Sequence, residues 1–180
     1  MVTDSKGFTL LELIIIIAIL GITTALAVPG LREMISNNRI QSNASDFVAA
    51  LQFAKAEAVA RVNPVTLCKS ANLTDCAADG DWQQGWIVFS DDNGDAVVGA
   101  DDEVLLNHEA LNANITFGGT AGVTDSITLR PSGTSSITTV EVLIICDDRG
   151  FDSNSRGILV TITGRGSVMK AADTDETTCL

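Results

Sequence analysis

From Leu10 to Val28 the chain carries a near-continuous apolar run, LLELIIIIAILGITTALAV, broken by one charge, Glu12. Beyond Pro29 the pattern changes without stopping. Ala44, Phe47, Val48, Leu51, Ala54, Ala58 and Val62 recur at i, i+3, i+4 and i+7, the spacing of one helix face. No breaker intervenes before Asn63-Pro64. The pattern predicts one helix from Phe8 to about Arg61, apolar all round in its first half and striped in its second. After Pro64 the period shortens to that of strands. Short β-branched runs at 65–67, 86–89, 104–106, 115–117, 127–129, 140–145 and 158–162 are separated by Gly, Asn, Asp and Ser clusters. The expected fold is α+β: a transmembrane helix over 8–28, its amphipathic continuation over 29–62, and a β-rich globular domain over 63–180 with the striped half of the helix on antiparallel sheet.

The apolar run admits three readings. A buried core helix would show a polar face, and this run has almost none. A cleaved secretory signal fits Lys6 as a weak basic start and Ala25-Leu26-Ala27 as a cleavage site, giving a secreted binding module that begins at Val28. A membrane span needs ~20 apolar residues, reached here when Phe8 to Leu11 are included. Two features favour a retained span. Glu12 stands at the head of the run, where a carboxylate in hydrocarbon costs roughly 3 kcal/mol and is kept for a partner or a function. The helical register then continues for some thirty residues, which a discarded signal has no reason to do.

Charge and cysteines narrow the function classes. The net charge is −12, and Met1 to Val62 contains five Lys/Arg and five Asp/Glu, so the whole surplus lies in the β-rich domain. Nucleic-acid binding rests on cations neutralising phosphates, so an acidic domain disfavours it. Cys68, Cys76, Cys146 and Cys179 suit two disulfides in an exported domain, and four cysteines allow three pairings. Their spacings fit no usual zinc pattern. Catalysis has little support: His108 is the only histidine, no serine lies in a Gly-x-Ser-x-Gly context, and no glycine-rich phosphate loop opens a helix. Trp86 reads as strand core and Trp82 as a surface contact.

The residues Lys6-Gly7-Phe8-Thr9-Leu10-Leu11-Glu12-Leu13 resemble the processing site of type IV pilins and type II secretion pseudopilins. The resemblance implies a leader over 1–7, cleavage by a prepilin peptidase between Gly7 and Phe8, and N-methylation of Phe8. It also implies that Glu12 pairs with the terminal amine of a neighbouring subunit, and that Pro29 marks a segment able to extend on filament formation. Further on, Leu51-Gln52, Ala54-Lys55, Glu57-Ala58-Val59, Arg61, Leu67-Cys68, Gly85-Trp86, Val88-Phe89 and Asp91 are similar to the GspH/FimT/FimU group of minor subunits, as are Ile144-Ile145-Cys146 and Gly164-Arg165. Membership implies a non-enzymatic structural subunit in the bacterial inner membrane, with a periplasmic domain and other pilins or pseudopilins as partners. It initiates or caps a type IV pilus or, alternatively, serves the type II secretion pseudopilus. DNA-capturing members share a Gly-Arg-x-Arg turn. Here Ser167 replaces the second arginine, and Arg130, Arg149, Arg156 and Arg165 read as solvated turn charges.

One cluster hints at a metal. Asp91, Asn93, Asp95 and Asp102 match offsets 1, 3, 5 and 12 of a calcium loop, but Ala96 stands where glycine belongs and Asp102 replaces the longer glutamate. The expectation is an acidic turn, with weakly held calcium as the one candidate cofactor.

Overall fold

The structure is a computed structural model that describes residues 7–180; residues 1–6, and with them most of the expected leader and Lys6, lie outside the described residues. The helix α1 spans Leu10–Arg61. Eight strands follow: β1 Val65–Lys69, β2 Trp86–Ser90, β3 Val104–His108, β4 Thr116–Gly119, β5 Ser126–Leu129, β6 Glu141–Cys146, β7 Arg156–Val160 and β8 Gly166–Lys170. The chain forms two compact units, Met1–Asn38 and Arg39–Leu180, so the globular unit takes in the helix from Arg39 onward.

The globular unit holds two four-stranded antiparallel sheets, in the orders β3-β2-β1-β5 and β4-β6-β7-β8. Inward residues of the first sheet (Leu67, Val88, Ile127) and of the second (Phe117, Leu143, Ile145, Ile158) join the helix stripe in one core. That stripe is Ile40, Ala44, Phe47, Ala50, Leu51, Ala54 and Ala58. Phe47 sits at the hub. Its ring meets Trp82, Trp86 and Phe117 edge-on, at centroid distances of 5.1, 5.4 and 5.0 Å. Trp86 comes from the first sheet and Phe117 from the second, so one helical side chain couples both layers. Where β8 approaches the helix only glycine fits easily: a Cβ on Gly166 would lie 3.1 Å from Leu51 Cδ2 and 3.2 Å from Val48 Cγ2.

Strands β1 and β2 are buried at every position, because their outward sides are covered too. Outward Cys68, Ile87 and Phe89 pack with Leu73, Cys76 and Val98 in a small second core, and the Cys68–Cys76 disulfide fastens its covering loop. The second sheet repeats the device. Ile144, Cys146 and Ala171 pack with Phe151, Cys179 and Leu180, and the Cys146–Cys179 disulfide holds the C-terminal tail over them.

Several expectations need correction. Trp82 is no surface residue: it is fully buried in a short 3-10 turn, and its indole N–H donates to the Val123 carbonyl at 2.8 Å. Val62 does not extend the helix stripe. The helix ends at Arg61, and Val62 is 75% exposed with φ +57°. The Asn63 amide reaches back to the Ala58 carbonyl at 3.2 Å, the 6→1 bond of a Schellman cap whose left-handed position glycine usually fills. A β-branched residue there is strained by about 1–2 kcal/mol. Val62→Gly is therefore expected to stabilise the globular unit by about 1 kcal/mol, read as a raised denaturation midpoint; a lowered midpoint counts against this assignment of the cap.

Candidate assembly site at the helix N terminus

Gly7, Phe8 and Thr9 precede the first helical residue. Thr9 caps the helix: its Oγ1 accepts the Glu12 amide at 3.2 Å, and its carbonyl accepts the Leu13 amide at 3.2 Å. Thr9-x-x-Glu12 is also the spacing of a capping box, which places the carboxylate in the first turn beside the positive end of the helix dipole. The Thr-x-x-Glu spacing carries this cap signal in the sequence, beside the membrane charge and the subunit pairing expected of Glu12. Glu12 has no ion pair among the described residues and is exposed. Nothing lies within 4 Å of where a Gly7 Cβ would stand, and Phe8 is 79% exposed. Gly7, Phe8 and Glu12 are thus all exposed among the described residues, within two turns of the helix start.

The helix that follows is long and apolar enough to cross a membrane. From Leu10 to Leu31 its large side chains are exposed around the whole circumference. Its two threonines leave no free hydroxyl donor. Thr23 Oγ1 bonds the Ile19 and Leu20 carbonyls at 3.0 Å each, and Thr24 Oγ1 bonds those of Leu20 and Gly21 at 2.8 and 3.1 Å. Back-bonding of this kind makes a hydroxyl tolerable in lipid. Pro29 lies inside the helix and lacks an N–H, so the Ala25 carbonyl has no backbone donor from it.

The other sequence candidates resolve locally. Asp91 is buried; its Oδ2 accepts from Thr66 Oγ1 (2.6 Å) and the Ala96 amide (3.1 Å), and its Oδ1 from the Asp95 amide (3.1 Å). Asn93 Oδ1 also accepts the Asp95 amide, Asp95 Oδ1 accepts the Val97 amide, and Asp102 accepts those of Asp92 and Gly99. Ala96 takes the left-handed φ, +60°, that glycine would relieve. Asp91, Asn93, Asp95 and Asp102 are thus engaged with their own loop, and among the described residues no group of three or more His, Cys, Asp or Glu side chains is gathered to hold a metal.

His108 ends β3 and stacks on Trp86 at 3.9 Å with 9° between planes, a packing role. Arg149 pairs with Asp147 at 2.6 Å, Arg156 donates to Gln41 Oε1 at 2.9 Å, and Arg130 donates to the Ser135 carbonyl at 2.6 Å. Arg165 lies in the exposed turn before β8 and Ser167 on β8 itself. Glu57 and then Glu103, hydrogen-bonded to the Arg61 guanidinium, hold its pKa above the ordinary value.

An apolar helix headed by a capped carboxylate and continued into a two-sheet domain defines the class of pilin-like, membrane-anchored subunits. The chain belongs to the family described as type II transport protein GspH, whose sequence model matches residues 43–166. A second model, the prokaryotic N-terminal methylation motif, matches residues 3–28. Two crystal forms of the type IV minor pilin FimU of Pseudomonas aeruginosa share the fold. One is 21% identical with a TM-score of 0.61, covering 79% of this chain and 96% of that one. The other is 20% identical with a TM-score of 0.58, covering 78% and 99%. No curated protein matches the chain in sequence.

Proposed function

We propose that this subunit initiates or caps a type IV pilus, in a non-enzymatic structural role. In this reading a prepilin peptidase cuts between Gly7 and Phe8, Phe8 is methylated, and residues 8–28 hold the chain in the bacterial inner membrane with the acidic domain in the periplasm. Glu12 then pairs with the terminal amine of a neighbouring pilin. Each of those charges is costly alone in low dielectric, and each relieves the other on assembly. The supporting observation is the exposed apolar helix with Glu12 in its first turn, directly behind Gly7-Phe8. A second reading, a minor pseudopilin of type II secretion, draws on the description of the matching family.

Mass spectrometry of the protein from membranes tests processing: an N terminus at Phe8 bearing one methyl group is expected, and a start at Val28 sinks the pilin reading. Deleting the gene is expected to remove surface pili while leaving protein secretion intact; the converse phenotype assigns the chain to the secretion system.

A further inference from the structure

The tail held by Cys146–Cys179 covers only part of the outer face of the second sheet. Register places Val142 opposite Leu159, and Gly157 opposite both Ile144 and Met169, so these side chains share that outer face. Ile144 is covered, whereas Val142, Leu159 and Met169 are only half-buried. They form the floor of a groove of about 480 Å³. Its rim carries four carboxylates, Glu141, Asp173, Asp175 and Glu176. None of the four has a salt-bridge partner among the described residues. The cations on these strands lie on the other side: Arg156 is paired in register with inward Ile145 and Lys170 with Arg156, and Arg156 bonds Gln41 of the helix.

Glu141 is held as an anion. Thr120 Oγ1 donates to Oε2 and Thr139 Oγ1 to Oε1, and the Gly122 amide adds a third bond. These bonds, that from Thr120 foremost, keep its pKa below the ordinary carboxylate value. An apolar floor beneath fixed negative charge strengthens attraction to a cation that brings its own apolar stem, because the contact excludes water.

We propose that this groove docks a protein segment that alternates lysine or arginine with aliphatic side chains, presented by a partner subunit. The occupant follows from charge complementarity: four carboxylates without an ion-pair partner among the described residues attract cations, and a floor of valine, leucine and methionine favours aliphatic contacts. The site lies wholly in the globular unit and is independent of the helix-borne assembly function.

The chain contains three methionines, one of which, Met169, lies in the groove floor. Methyl NMR of the full-length chain in zwitterionic micelles, carbon-13 labelled at methionine, reads occupancy directly. Titration with the capped peptide Lys-Val-Lys-Val-Lys is expected to shift the Met169 methyl saturably and leave that of Met34 unmoved. The triple variant Asp173→Asn, Asp175→Asn, Glu176→Gln is expected to weaken binding at least tenfold. Removing the same charge elsewhere, with Asp79→Asn, Glu109→Gln and Asp148→Asn, should change it less than twofold. An unmoved Met169 methyl, equal loss in both triple variants, or equal binding of Lys-Gly-Lys-Gly-Lys overturns the proposal. Calcium alone shifting Met169 and blocking the peptide also overturns it, in favour of a cation site.

Discussion

Phe47→Ala is expected to destabilise the globular unit by about 3–5 kcal/mol, the usual cost of truncating a fully buried phenylalanine. The site gives reason to expect the upper part of that range. Three rings surround the side chain, from the 3-10 turn at Trp82 and from a strand of each sheet. Trp82 is tied to Val123 through its indole N–H, and Trp86 is stacked on His108, so the neighbours are poorly placed to collapse into the void. Two-state loss of near-ultraviolet dichroism from the tryptophans, followed against denaturant, measures the change. A cost below about 1.5 kcal/mol, nearer that of a volume-conserving swap, would show that the two sheets hold together without the helix ring between them.

The second large effect is expected from Cys146→Ala with Cys179→Ala. The bond spans 33 residues, and loop-closure entropy gives about 3–4 kcal/mol for a loop of that size. The double variant should lower the denaturation midpoint and speed proteolysis of the tail after Ala171, as Ile144 and Ala171 lose their cover. Cys68→Ala with Cys76→Ala opens a loop with a separation of only 8 residues and should cost less. A larger loss from the shorter loop would contradict the entropic account.

The helix and most strands were legible because their signals are periodic. The stripe through Ala44, Phe47, Leu51, Ala54 and Ala58 is the buried face, and seven strands lie within a few residues of the β-branched runs. What escaped reading lacks a local signal. Strand β8 reads Gly-Ser-Val-Met-Lys, with one β-branched residue, and it is a strand because β7 pairs along its whole length and the helix lies against its glycine. The division into two sheets depends on which strands pair across long separations, β1 with β5 and β4 with β6, which spacing does not encode. Trp82 looked exposed because Asp, Gly and Gln surround it, whereas its burial depends on Val123, a partner 41 residues away. At the helix head the residues are visible in sequence, and the cap formed by Thr9 follows from the same Thr-x-x-Glu spacing.

The two disulfides fasten covers on opposite outer faces, and neither belongs to the central core. In a reducing compartment the helix stripe and inner faces still have their partners, but both covers are held by contacts alone. A reduced chain is thus expected to present loosened peptide at Ala71–Cys76 and along its last residues, where an added protease would cut first. Oxidation thus completes the outer layers and not the interior: a reduced domain keeps its helix stripe and inner sheet faces packed and loses only the covalent hold on its two covers.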